Sequence, residues 1–129
     1  MSHFIAILLL AAAAGGCSKD YEQKKLGKDS PEGQRVRAMV ESLRQGGEKG
    51  LPDALARQSA GGLSQAQAEA LQASLRELIQ ASSVEMERFD SFGPKVYRAT
   101  FTITSAGNSR TAAFLLVAQG DELRWAGRN

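Results

Sequence analysis

The hydrophobic pattern of the chain changes period at Ser82, and this change restricts the fold more than any other feature of the 129 residues. Ahead of it, apolar side chains recur every three or four positions, as one face of a helix requires; after it they alternate, as one face of a strand requires. Val36, Met39, Val40 and Leu43 form the first helical stripe. It opens at Asp29 or Ser30, where Asp29 and Glu32 have capping-box spacing and Pro31 suits the first turn, and Gly46-Gly47 ends it. Leu51 to Ser59 reads as a short second helix or an irregular turn, broken by Ala60-Gly61-Gly62. The clearest stripe is Ala68, Leu71, Leu75, Leu78 and Ile79, which follows an N-cap at Ser64 with Gln67 three residues on. Beyond Ser82, Val84 to Phe89 alternates apolar and charged residues, and Asp90-Ser91-Phe92-Gly93-Pro94 reads as a loop. Tyr97, Ala99, Phe101 and Ile103 share one strand face, with Arg98, Thr100 and Thr102 on the other. Thr111 to Gln119 and Glu122 to Gly127 then follow through short turns, which makes an antiparallel meander. The expected fold is α+β: two or three N-terminal helices packed on a curved antiparallel sheet of three to four strands.

Ahead of these elements stands an apolar run, Phe4 to Ala14, followed by Gly15, Gly16 and the only cysteine, Cys17. The run has the length of a signal-peptide core and falls short of the roughly 20 residues that span a bilayer as a helix. Ala14-Gly15-Gly16-Cys17 resembles a bacterial lipobox. The resemblance implies a lipoprotein signal peptide at 1–16, cleavage between Gly16 and Cys17, and diacylation of the Cys17 thiol, with palmitate or a similar chain added to its amine. Ordinary secretion is the competing reading, with cleavage after Ala12-Ala13-Ala14 and a free thiol at Cys17. Ser18 stands where the inner-membrane retention signal has aspartate. In a host with two membranes, the expected location is therefore the periplasmic side of the outer membrane. Two acyl chains, at about 0.8 kcal/mol per buried methylene, hold a protein there for good.

Residues 17–29 read as the lipidated cysteine and a flexible tether, rich in Lys19, Lys24, Lys25 and Lys28 against Asp20, Glu22 and Asp29. Its lysines either lean on anionic headgroups or are simply solvated. Residues 30–129 form one domain. All 16 basic and 14 acidic residues follow Cys17, a net charge of +2 without a basic stripe, which is not the balance of a nucleic-acid binder.

The order of helices before sheet, closed by Phe114-Leu115-Leu116-Val117-Ala118-Gln119-Gly120-Asp121-Glu122-Leu123-Arg124-Trp125-Ala126-Gly127, resembles the cone-shaped nuclear-transport-factor-2-like and cystatin-like domains found in many small bacterial lipoproteins. The likeness covers about Ser30 to Arg128 and implies a cone-like fold; it implies no single activity, because such domains host enzymes, binders and adaptors alike.

Enzymes of that group place an aspartate, often with a histidine or tyrosine, in the mouth of the cone. Here Asp90 or Glu87 is the candidate base and Tyr97 the candidate donor. Each has a plainer reading: turn-former, solvated strand face and core residue. The only histidine, His3, lies in the leader, and neither a metal site nor a cofactor is expected beyond the covalent lipid on Cys17. Tyr97, Phe101, Phe114 and Trp125 suit either a ligand pocket or the core. Arg98, Arg110 and Arg124 suit either a basic face for an acidic partner (a protein, a lipopolysaccharide phosphate or a cell-wall carboxylate) or dispersed solubilising charge. The functional expectation is a lipid-anchored cell-envelope protein acting as a non-catalytic binding or adaptor module. The alternatives are an isomerase-like or hydrolase-like enzyme in the cone cavity and an inhibitor or immunity protein.

Overall fold

A computed structural model describes residues 23–129; the leader at 1–16, Cys17 and the following residues to 22 lie outside the described residues. The elements run β1 (Gln23–Lys25), α1 (Pro31–Gln58), α2 (Gln65–Gln80), β2 (Ser83–Phe92), β3 (Val96–Ser105), β4 (Asn108–Gln119) and β5 (Glu122–Arg128). Two helices pack against a five-stranded antiparallel sheet whose order is the chain order, β1-β2-β3-β4-β5.

The sheet exceeds the expected three to four strands because part of the expected tether belongs to it. Gln23, Lys24 and Lys25 pair with Phe92, Ser91 and Asp90. All three side chains are exposed, so no apolar alternation marks them as a strand. The chain then turns at Gly27 (φ 91°), where the amides of Leu26 and Gly27 both donate to Phe89 O, at 2.9 and 3.0 Å.

Ser30 opens α1, its hydroxyl accepting from the Gly33 amide at 3.0 Å; Asp29 instead pairs with Arg37. The expected stop at Gly46-Gly47 is a kink. Gly47 takes φ 65° and ψ −166°, outside the helical range, and the helix resumes beyond it so that Leu51 and Ala54 return to the core. α2 carries the full capping box between Ser64 and Gln67. Arg44 of α1 closes its other end, donating to Leu78 O at 2.6 Å, Ala81 O at 3.0 Å and Ser82 O at 3.2 Å.

The expected loop at Asp90 to Pro94 is shorter than its composition suggests: Asp90, Ser91 and Phe92 continue β2, Asp90 and Ser91 pairing on both sides and Phe92 with Gln23 of β1. On β3 the alternation is as spaced, with Tyr97, Ala99, Phe101 and Ile103 facing the helices. Across β2, β3 and β4 the opposite, outer face reads by rung as Ser83-Thr104-Ser109, Glu85-Thr102-Thr111, Arg88-Thr100-Ala113 and Asp90-Arg98-Leu115. The β5 edge is covered by the α1–α2 connection: Ser59 bridges to Trp125, the Ala60 amide donates to Trp125 O at 2.8 Å, and Ala60 packs with Leu115 and Ala126. The other edge is covered only where β1 lies. Ser83 to Arg88 stays open among the described residues, defended by Glu85, Glu87, Arg88 and a bulge between Met86 and Arg88.

Candidate functional site

The four aromatic candidates sit between the helices and the sheet, where they fill space. Tyr97 is 9% exposed, Phe101 1%, and Phe114 and Trp125 are fully buried. Phe101 meets Phe114 edge-on at 5.8 Å between ring centroids, Phe114 meets Trp125 edge-on at 5.5 Å, and Tyr97 stacks on Phe89 at 5.5 Å. The remaining volume is taken by Val36, Val40, Leu43, Leu71, Leu75 and Leu78. Trp125 Nε1 donates to Gln58 Oε1 at 3.1 Å, so its one polar atom is spent inside the domain.

The candidate acid–base residues do not converge. Tyr97 faces the helices, and its hydroxyl donates to Pro94 O at 3.4 Å. Asp90 points from the opposite face of the sheet, because strand alternation places Ser91 and not Asp90 opposite Tyr97. There Asp90 is 0% exposed, with Oδ2 at 3.2 Å from Arg98 and 3.5 Å from Arg88. Its Oδ1 and the Nε of Arg98 are buried without a hydrogen-bond partner, and the Arg98 guanidinium also lies 5.0 Å from the Phe92 ring. Glu87 is the extra residue of the β2 bulge and accepts from the Thr102 hydroxyl.

No family model, characterised protein or solved structure matches the chain.

The three candidate arginines are likewise apart. Arg98 lies on the outer face. Arg110 is on the helix side, where Glu77 of α2 accepts from it at 2.9 Å and from Arg128 at 3.1 Å. Arg124 reaches Arg57 O at 3.0 Å, Ser59 O at 3.2 Å and Glu122. The ties of Arg110, Arg124 and Arg128 join sheet to helices and connection, Arg35 joins α1 to Asp121 O in the β4–β5 turn, and Arg76 joins α2 to Glu48 of α1. Arg44 and Glu77 carry much of this network. Nothing in the sequence announces them, because their partners lie more than 30 residues away along the chain.

Two open grooves of about 550 Å³ flank α1. One lies toward β2 between Arg37, Glu41 and Glu85 over Val40, Met86 and Phe101; the other lies toward the β4–β5 turn between Arg35, Arg57 and Glu122 over Met39 and Leu123. Both mix charge signs on their rims. Among the described residues no cluster of His, Cys, Asp and Glu has a metal-holding arrangement, and no helix is long and apolar enough to cross a membrane.

Proposed function

We propose that the chain is a lipid-anchored cell-envelope protein whose domain acts by binding, as an adaptor, and performs no chemistry of its own. The observation that carries this reading is the separation of Asp90 from Tyr97: this candidate acid–base pair is split between opposite faces of the sheet, and its carboxylate is held by Arg98. Proton transfer requires hydrogen-bond reach to one substrate, which that split denies. The order of helices before meander supports a likeness to the nuclear-transport-factor-2-like and cystatin-like group, with the interior of the cone occupied by the Phe101-Phe114-Trp125 row. The anchor rests on Cys17 and the apolar run before it. Placement on the periplasmic side of an outer membrane rests on Ser18. A groove of about 400 Å³ beside Tyr97, lined by Lys24, Glu32, Ser91 and Pro94, takes in neither Asp90 nor Glu87; recognition falls to the exposed surface, this groove and the two beside α1.

Crosslinking in intact envelopes, followed by purification and intact-mass analysis, tests the binding reading. The expected result is a discrete protein adduct in stoichiometric amount. A copurifying small molecule with no protein adduct would instead support a pocket-bearing enzyme or carrier.

A further inference from the structure

Arginine and lysine play different parts in this domain. Every arginine from Arg35 to Arg128 has a hydrogen-bond acceptor or an ion-pair partner within it. No lysine takes part in an ion pair among the described residues. The lysines are also unevenly placed: apart from Lys49, exposed on α1, those among the described residues gather near β1. Lys24 and Lys25 lie on β1, Lys28 follows it along the same sheet edge, and Lys95 sits in the β2–β3 turn beside the point where β1 enters. All four are exposed.

That edge is also where the chain arrives from Cys17. Six residue steps separate Cys17 from Gln23, so covalent geometry limits the distance between them to about 20 Å. Gln23 is not free to wander, since β1 is held by its pairing to β2 and by the two bonds to Phe89 O. The domain therefore has a fixed attachment point at the β2–β3 end of its first edge.

Resting on the reading of Cys17 as the lipid anchor, we infer that this edge, with Lys24, Lys25, Lys28 and Lys95, docks on the anionic headgroups of the membrane that holds the lipid. The short leash keeps these four cations close to the surface, and cations near an anionic leaflet are attracted within about a Debye length. Glu32 beside Lys24, and Glu41 and Glu85 in the groove that Lys28 lines, offset part of this charge. The opposite end of the sheet, the β3–β4 turn, then points away from the membrane and carries the hydroxyl-rich rungs of the outer face.

The test uses the full lipidated chain in vesicles carrying a headgroup-labelled energy-transfer acceptor, with a donor fluorophore on Pro94→Cys or Ser105→Cys. On vesicles with 30% phosphatidylglycerol, an assay composition of roughly physiological charge, transfer from position 94 should exceed that from 105 several-fold. Each Lys→Gln replacement should lower the ratio of docked to undocked protein by about fivefold. The fourfold variant should match the native protein on phosphatidylcholine while staying vesicle-bound. Equal transfer from both positions, or transfer indifferent to lipid charge, would overturn the docking and point to a protein partner for these lysines. Release of the native protein from vesicles at high salt would overturn the anchor, and the inference with it.

Discussion

Asp90 shows how much a single position depends on its neighbours across the sheet. The run Asp-Ser-Phe-Gly-Pro has turn composition, and in isolation Asp90 reads as a turn-former. In the fold it is a strand residue, fully buried on a face with no helix over it, because Arg98 covers it. Such a pair costs desolvation that its geometry only partly offsets, with Oδ1 and Nε left unpartnered. Asp90→Asn should therefore lower stability in urea by about 2–3 kcal/mol, while Asp90→Leu combined with Arg98→Leu should recover most of the loss. A double variant as unstable as the sum of Asp90→Leu and Arg98→Leu alone would mean that the two side chains are not coupled and that each holds the edge through other contacts. Gly33 makes a similar point. An added Cβ would lie 2.8 Å from Lys28 O and 2.9 Å from Gly27 O, both backbone atoms. Alanine normally gains about 1 kcal/mol over glycine in a helix; here Gly33→Ala should instead lower the melting temperature, by loosening the turn that joins β1 to α1.

The elements were legible where periodicity is strong. α2 follows from its five-residue stripe and Ser64–Gln67 box, and β3 from the alternation of Tyr97 to Ile103, since each buries one full face. β1 was not legible, because Gln23, Lys24 and Lys25 bury no side chain and are held by backbone bonds alone. The Gly46-Gly47 pair has stop composition, yet the apolar side chains of Leu51 and Ala54 carry the helix past it as a kink. The placement of Arg44 was equally hidden. It ties the first segment of α1 to the last carbonyls of α2, where a cation also meets the favourable end of the helix dipole. Arg44→Met keeps the aliphatic stem and removes those three bonds. It should cost about 2 kcal/mol by urea denaturation, and hydrogen exchange should show the last turn of α2 opening first. Unchanged protection there would mean that the packing of Leu75 and Leu78 alone fixes that end.

For the molecule as a whole, the helix-plus-sheet class was legible because two hydrophobic periods in one small chain allow few arrangements. The site was not. The basic face and the catalytic group inferred from residue type are not assembled in the fold: Arg110 turns toward Glu77, Asp90 and Tyr97 part to opposite faces, and Phe101, Phe114 and Trp125 pack against one another in the core. What remains exposed is a surface with arginines tied inward and four lysines near β1, next to the segment that leads from Cys17, with Lys49 apart on α1. The anchoring of the domain, and with it the docking of the β1 edge, depends on Cys17. Palmitate labelling of the native protein and of Cys17→Ser, with fractionation after an alkaline wash, tests it most directly. The native chain should be labelled, sediment with membranes and have a mature mass beginning at acylated Cys17; the variant should be unlabelled and retain its leader. A native protein that is soluble, unlabelled and cleaved after Ala14 would contradict the account.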